Sequence, residues 1–281
     1  MKTLHDKVAA ITGAGSGIGR ATAVSFAQQG CHLALSDVDE EGLADTARQC
    51  GSSTKVTTAR VDVADRARVH AWADEVVGAH GRVHVVVNNA GVGLGATVEA
   101  MSYEDLDWLM GVNFWGVVHG TKAFLPHIKR AGEGHIVNIS SVFGLIAVPT
   151  QSAYNAAKFA VRGFTECLRE EMEIEGSNVG VTCVHPGGIK TNIARRARHR
   201  VGAEWGASDP ETRAADFDKL ARSTPEDAAR AILGAIIGDR RRLLIGADAV
   251  MIDVIQRLIP ASYQRLLIAG MKRRIKKNAA G

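Results

Sequence analysis

Short, almost wholly apolar runs alternate along this chain with longer stretches of helical spacing. The first run, Val8–Thr12, breaks into Gly13-Ala14-Gly15-Ser16-Gly17-Ile18-Gly19, and residues 18–29 then read as a helix closed by Gly30. A second run, 32–36, ends at Asp37 and is followed by a helix over 40–50, so the opening unit is β-α-β. The alternation continues with a strand at 55–61, a helix at 65–79 capped by Asp65, and a strand at 83–87 that runs into Asn88. One long helix is predicted over 103–129, then a strand at 135–139, a helix at 152–175 and a strand at 179–184. Thr224, Pro225 and Glu226 form a helix start, with a cap, a first-turn proline and an early acid; that helix ends near Gly238, and a last strand spans Arg242–Ile245.

Apolar strands separated by helices imply a parallel sheet covered on both faces. The expected fold is therefore α/β, a single-domain doubly wound parallel sheet of about seven strands over residues 1–246, with a C-terminal extension at 247–281. The stretch 195–224 has weak periodicity and many charges, and reads as a mobile loop within a substrate loop spanning about 192–224.

Composition narrows the class. At 281 residues and 46% hydrophobic the chain can bury a sizeable core. It has neither a signal-peptide stretch nor the roughly 18 uninterrupted apolar residues of a membrane span, so a cytoplasmic protein is expected. Cys31, Cys50, Cys167 and Cys183 are scattered, which supports neither zinc nor disulfides, and no metal site is expected. The net charge of +4 is uneven: residues 240–281 hold ten Lys or Arg against two Asp, a net +8, leaving −4 for the rest. No aromatic-basic motif favours nucleic acid.

The candidate chemistry lies at predicted strand ends, where a doubly wound sheet binds its ligands. A glycine turn between strand and helix lets a backbone approach a pyrophosphate and presents unpaired N–H groups to it, which makes Gly13, Gly15, Ser16, Gly17, Ile18 and Gly19 a dinucleotide cradle. Asp37 is placed to accept hydrogen bonds from both hydroxyls of an adenosine ribose. Its charge would repel a 2′-phosphate, and Val38, Asp39 and Glu40 offer no cation to receive one, so NAD is the expected cofactor. Tyr154 and Lys158, four residues apart, share a helix face, where the ammonium favours the phenolate.

Thr12-Gly13-Ala14-Gly15-Ser16-Gly17-Ile18-Gly19, the Asn-Asn-Ala-Gly starting at Asn88, Asn113, Ser141 with Tyr154 and Lys158, and His185-Pro186-Gly187-Gly188-Ile189-Lys190-Thr191 occur together in this order. In these motifs the chain resembles the short-chain dehydrogenase/reductase family, in its compact NAD-preferring branch, over about residues 7–246. The resemblance implies that Asp62 and Val63 flank the adenine, that Asn89, Ala90 and Gly91 pack beside the cofactor, and that Pro186, Gly187, Ile189 and Thr191 hold its nicotinamide end. It further implies Tyr154 as the acid/base, with Lys158 lowering its pKa and binding the nicotinamide ribose. Ser141 would hold the substrate oxygen, and Asn113 would anchor a water that completes a proton path. Ser140 is the alternative serine, but the family's spacing to the tyrosine selects Ser141. His119, His127 and His185 are not expected to be catalytic. Relatives pair through the long helices, so a homo-oligomer, dimer or tetramer, is implied.

Residues 93–96, 142–151, Gly188 and the loop from Asn192 should face the substrate. Val142, Phe143, Leu145, Ile146, Val148 and Pro149 make that surface apolar, which favours a hydrophobic secondary alcohol and ketone, or alcohol and aldehyde. Arg195, Arg196, Arg198, His199 and Arg200 read as a solvated loop, or as a receiver for an anionic group. The extension predicts two amphipathic helices divided by Pro260, packed on the body, on a partner subunit or over the cleft. A sharper reading sets Lys272, Arg273, Arg274, Lys276 and Lys277 on anionic lipid as a weak peripheral contact, as in a membrane-associated lipid- or retinoid-type dehydrogenase. The rival from another class is a catalytically idle NAD-binding regulatory protein.

Overall fold

Strands without a polar face need cover on both sides. The computed structural model, which describes residues 1–200, 205 and 221–279, supplies that cover. Seven parallel strands, β1 (Val8–Thr12), β2 (His32–Asp37), β3 (Val56–Arg60), β4 (Val85–Asn88), β6 (Gly134–Ile139), β7 (Val179–Pro186) and β9 (Arg242–Ile245), stand in the order β3-β2-β1-β4-β6-β7-β9. The strand order reverses direction between β1 and β4, which opens a crevice at their carboxyl ends.

Alternation along each strand sends neighbouring side chains to opposite faces. Ala9, Ile11, Leu33 and Leu35 meet Phe26 of α1 (Gly17–Ala27) and Ile232 and Ile236 of α7 (Pro225–Ile237) on one face. Val8, Ala10, Val86 and Ile136 meet Trp72 of α3 (Arg66–His80), Phe124 and Ile128 of α5 (Gly116–Arg130) and Met172 of α6 (Ser152–Ile174) on the other. Trp72 and Phe124 pack edge to face at 5.1 Å. α2 (Glu40–Gln49) follows β2. Asp65 caps α3 by accepting the Arg68 N–H at 3.0 Å. Thr224 and Asp227 close a capping box at the start of α7.

Two expectations are corrected. The single helix over 103–129 is divided into α4 (Tyr103–Met110), a five-residue π-helical segment Gly111–Trp115, and α5. Within this wider turn the Asn113 amide faces the backbone of Val92 and makes a hydrogen-bond pair with it. The stretch 195–224 is not loop throughout. Arg198–His199 forms a short strand, β8, that pairs in parallel with β5 (Leu94–Gly95). Asp105, buried in the first turn of α4, ties it down by accepting from Arg198 at 3.2 Å and Arg200 at 2.9 Å, and Arg198 lies 3.6 Å over the Trp108 ring. Most of the remainder of that predicted loop lies outside the described residues.

The extension forms the two helices expected around Pro260, α8 (Ala247–Leu258) and α9 (Tyr263–Ala279). Among the described residues no helix is long and apolar enough to cross a membrane.

Candidate functional site

At the carboxyl end of β1 the glycine turn is held from below and behind. Gly13 has φ +64°, and a Cβ there would stand 2.7 Å from the Ala90 Cα; one on Gly19 would stand 2.1 Å from the Gly13 carbonyl oxygen. Only glycine fits either place, so β1, α1 and the strand end after β4 close onto one another. The Thr12 hydroxyl accepts the N–H groups of Asn89 and Ala90 at 3.0 and 3.1 Å, and the Asn89 amide donates back to the Thr12 and Gly13 carbonyls. Arg20 donates to the Gly15 and Gly42 carbonyls, and Thr46 donates to Ala14 at 2.8 Å, which fixes the turn from α2. Thr12, Arg20 and Thr46 are supports that motif spacing did not reveal, because their partners are remote in sequence.

Asp37 accepts the Gly15 N–H at 2.8 Å and the Asp39 N–H at 3.0 Å, so its carboxylate stands beside the glycine turn as expected of a ribose acceptor. Neighbours in sequence offer no cation there, but the fold brings one: the Arg196 guanidinium is 3.4 Å from Asp39. Asp62 accepts the Ala64 N–H at 2.9 Å. Val63 is buried against Gly116, and its carbonyl meets His119 Nδ1 at 3.1 Å, so these two residues wall the same end of the crevice.

Across the crevice, Gly187 at the end of β7 donates to the Ile245 carbonyl at 2.9 Å, and the buried Ile189 bridges to Ser223. Pro186 closes β7, and the Thr191 methyl lies over Gly17, so this segment reaches the glycine turn. Asp248 in the first turn of α8 accepts the Gly188 N–H at 2.7 Å. The extension therefore fixes this loop, a role the sequence did not disclose. These residues fit an adenine dinucleotide: the close glycine approach leaves room for a pyrophosphate, and the Asp37 carboxylate is the acceptor that ribose hydroxyls require.

Of the four catalytic candidates, Asn113 and Lys158 stand beside Gly91, and the Tyr154 ring lies next to Lys158. Asn113, fully buried, accepts the Val92 N–H at 2.8 Å and donates to the Val92 carbonyl at 2.9 Å. A Cβ on Gly91 would stand 3.4 Å from Asn113 Oδ1 and 3.7 Å from Lys158 Nζ. Lys158 is 3% exposed and donates to the Ile139 carbonyl at 3.0 Å, with its Nζ 5.6 Å from the centre of the Tyr154 ring. Against the upward push of burial, the Ser141 side chain lowers the pKa of the nearby Tyr154 phenol, and Phe143 packs edge-on to the phenol ring at 6.0 Å. Ser140, the alternative serine, instead donates to the backbone carbonyl of Lys158 at 2.8 Å. Its hydroxyl is thereby directed into the packing between β6 and α6.

The expected lowering of the Tyr154 pKa by Lys158 is not found in this arrangement. Burial pushes the phenol up to about 12, against a smaller downward pull from the Ser141 side chain, and burial pushes Lys158 down to about 8. The ammonium is directed to the Ile139 backbone carbonyl. His185 is not free for proton transfer: burial holds its imidazole down to about 4, so it is neutral and donates from Nδ1 to the Ser141 carbonyl at 3.0 Å. Asn155, next to Tyr154, accepts the Val148 N–H and donates to the Phe143 and Ile146 carbonyls. Tyr263 of α9 accepts the Ala147 N–H at 3.0 Å. The apolar segment 142–151 is thus fastened from both sides.

A doubly wound sheet with a glycine cradle, a ribose acceptor and a Ser-Tyr-Lys cluster across the crevice defines a single-domain dinucleotide-binding oxidoreductase architecture. The pattern of the short chain dehydrogenase family matches residues 7–202. The chain is 52% identical over 273 residues to the Mycobacterium tuberculosis protein SadH, named as an oxidoreductase, covering 96% of this chain and 97% of that one. It is 36% identical over 282 residues to dehydrogenase/reductase SDR family member 7B of Xenopus laevis, covering 97% and 84% of the two chains. Among solved structures, a short chain dehydrogenase/reductase from Burkholderia phymatum in complex with NAD superposes with a TM-score of 0.82 at 35% identity, covering 92% and 95%. The chain belongs to the short-chain dehydrogenase/reductase family of oxidoreductases.

Proposed function

We propose that the chain, in the cytoplasm, interconverts a hydrophobic secondary alcohol and its ketone, or an alcohol and its aldehyde, using NAD and Tyr154 as acid/base. The observation that carries the reading is the buried Lys158 ammonium 5.6 Å from the centre of the Tyr154 ring, with Gly91 and Asn113 alongside that ammonium. NAD supplies the hydride acceptor or donor. Gly13, Gly15, Ser16, Gly17, Ile18 and Gly19 would hold its pyrophosphate, Asp37 its adenosine ribose, Asp62 and Val63 the adenine, and Pro186, Gly187, Ile189 and Thr191 the nicotinamide end. Asn89, Ala90 and Gly91 would line the crevice beside it. Asp37 supports NAD over NADP by charge repulsion of a 2′-phosphate.

Ser141 holds the substrate oxygen, and Tyr154 takes the proton of an alcohol or returns one to a carbonyl. Lys158 binds the nicotinamide ribose and keeps positive charge near the phenol, and Asn113 positions the backbone that lines the proton path. Residues 1–246 form the catalytic domain, and a homo-oligomer paired through α5 and α6 is the expected assembly. Apolar residues of 142–151 select a hydrophobic substrate. A panel of hydrophobic secondary alcohols with NAD, and of ketones with NADH, followed by NADH absorbance, tests the proposal. Turnover of apolar members supports it. NAD binding without turnover across a broad panel would instead indicate a regulatory protein.

A further inference from the structure

The extension has two faces of opposite character. Its inward face is committed to the body: Ala249 is fully buried, Asp248 accepts the Gly188 N–H, and Asp253 accepts from Arg242 at 2.7 Å and Arg257 at 3.0 Å. Both carboxylates of α8 are therefore held by partners, and α9 contains no acidic residue. On the outward side Val250, Val254 and Leu258 follow one another at helical spacing with Met251 beside them, and Leu258 is 76% and Met251 57% exposed. Leu266, 65% exposed, and Ile268, 47% exposed, continue the apolar surface onto α9, whose Lys272 and Arg273 are exposed. So large an apolar surface on consecutive helices, continued by the exposed cations of α9, marks a contact surface.

We infer that this face of α8 and α9 seats on an anionic lipid surface, with the apolar stripe at the acyl boundary and the cations on headgroup phosphates. Charge decides between the occupants. A two-fold contact between copies would set a cationic face against itself, whereas acidic headgroups complement it. The same helices hold the substrate side of the cleft, through Tyr263 on the Ala147 N–H and Asp248 on the Gly188 N–H, so a lipid-seated extension places that side next to the phase from which an apolar alcohol would arrive.

The test is sedimentation of the full chain with vesicles of phosphatidylcholine alone and with phosphatidylserine added, which requires no activity and stands whatever the substrate proves to be. The expected result is co-sedimentation with the anionic vesicles that salt reverses. Lys272→Gln with Arg273→Gln should reduce partitioning roughly 30-fold, since each cation near an anionic surface contributes about a fivefold gain. Leu258→Glu should reduce it as well, and both variants should bind NADH as the parent does, which excludes a folding defect. Equal partitioning to the two vesicle types, or none to either, overturns the inference. So does a fall in solution mass for Leu258→Glu by light scattering, which would show that a second copy covers the face.

Discussion

With the Tyr154 phenol pushed up to about 12 and Lys158 down to about 8, both by burial, the pair near pH 7 holds a neutral phenol beside an ammonium. A neutral phenol is the proton donor that carbonyl reduction needs, whereas oxidation needs the phenolate. Oxidation rates should therefore climb with pH through the alkaline range, by up to about tenfold per unit, while reduction does not. Initial rates in both directions across pH check this, and an oxidation rate that is flat above neutrality would count against it. Asp37 is the second decisive residue. Removing a charged acceptor of ribose hydroxyls forfeits about 1.5–3 kcal/mol, so Asp37→Ala should weaken NADH binding by roughly 10- to 100-fold and narrow the margin against NADPH. Fluorescence titration with both cofactors measures it, and a parent chain that already prefers NADPH would refute the charge argument.

At the scale of elements, the strands and most helices were legible because a doubly covered strand must be apolar throughout and its helices must return over it. The glycine turn and the Tyr154–Lys158 spacing were legible because both act within one helical turn. The π segment was not, since Gly111-Val112-Asn113-Phe114-Trp115 continues the helical spacing of its flanks, and the pairing of Asn113 with Val92 joins residues 21 positions apart. β5 and β8 were missed because two-residue strands carry no period, and the ion pairs that hold β8 join α4 to a segment far away in sequence. That tie is open to test. Asp105→Asn should loosen β8, here acting as a strap on β5, and raise the KM for substrate roughly fivefold, the scale of a partly exposed ion-pair set, while leaving NADH affinity nearly unchanged. Michaelis curves for the variant decide it; an unchanged KM would separate the strap from the substrate.

For the whole molecule, His84, His135 and His185 are buried and their imidazoles are each held down to about 4, chiefly by desolvation. An unfolded histidine titrates near ~6.5, so the unfolded chain takes up these protons first. Their contribution is fully present above about pH 6.5 and is lost as pH falls toward 4, at up to about 1.4 kcal/mol per pH unit for each histidine. Urea midpoints at several pH values should fall steeply through that window, and a midpoint unchanged down to pH 4 would contradict the burial. The extension also belongs to this scale: Asp248→Ala, by stranding the Gly188 N–H, should cost about 1.5–3 kcal/mol in the same urea assay. Proton transfer by Tyr154 in NAD-linked alcohol and carbonyl interconversion is tested most directly by Tyr154→Phe. On a substrate turned over by the parent, NADH absorbance should show turnover reduced by about 10²- to 10⁴-fold with NADH binding retained. Substantial activity in that variant would rule out Tyr154 as the acid/base.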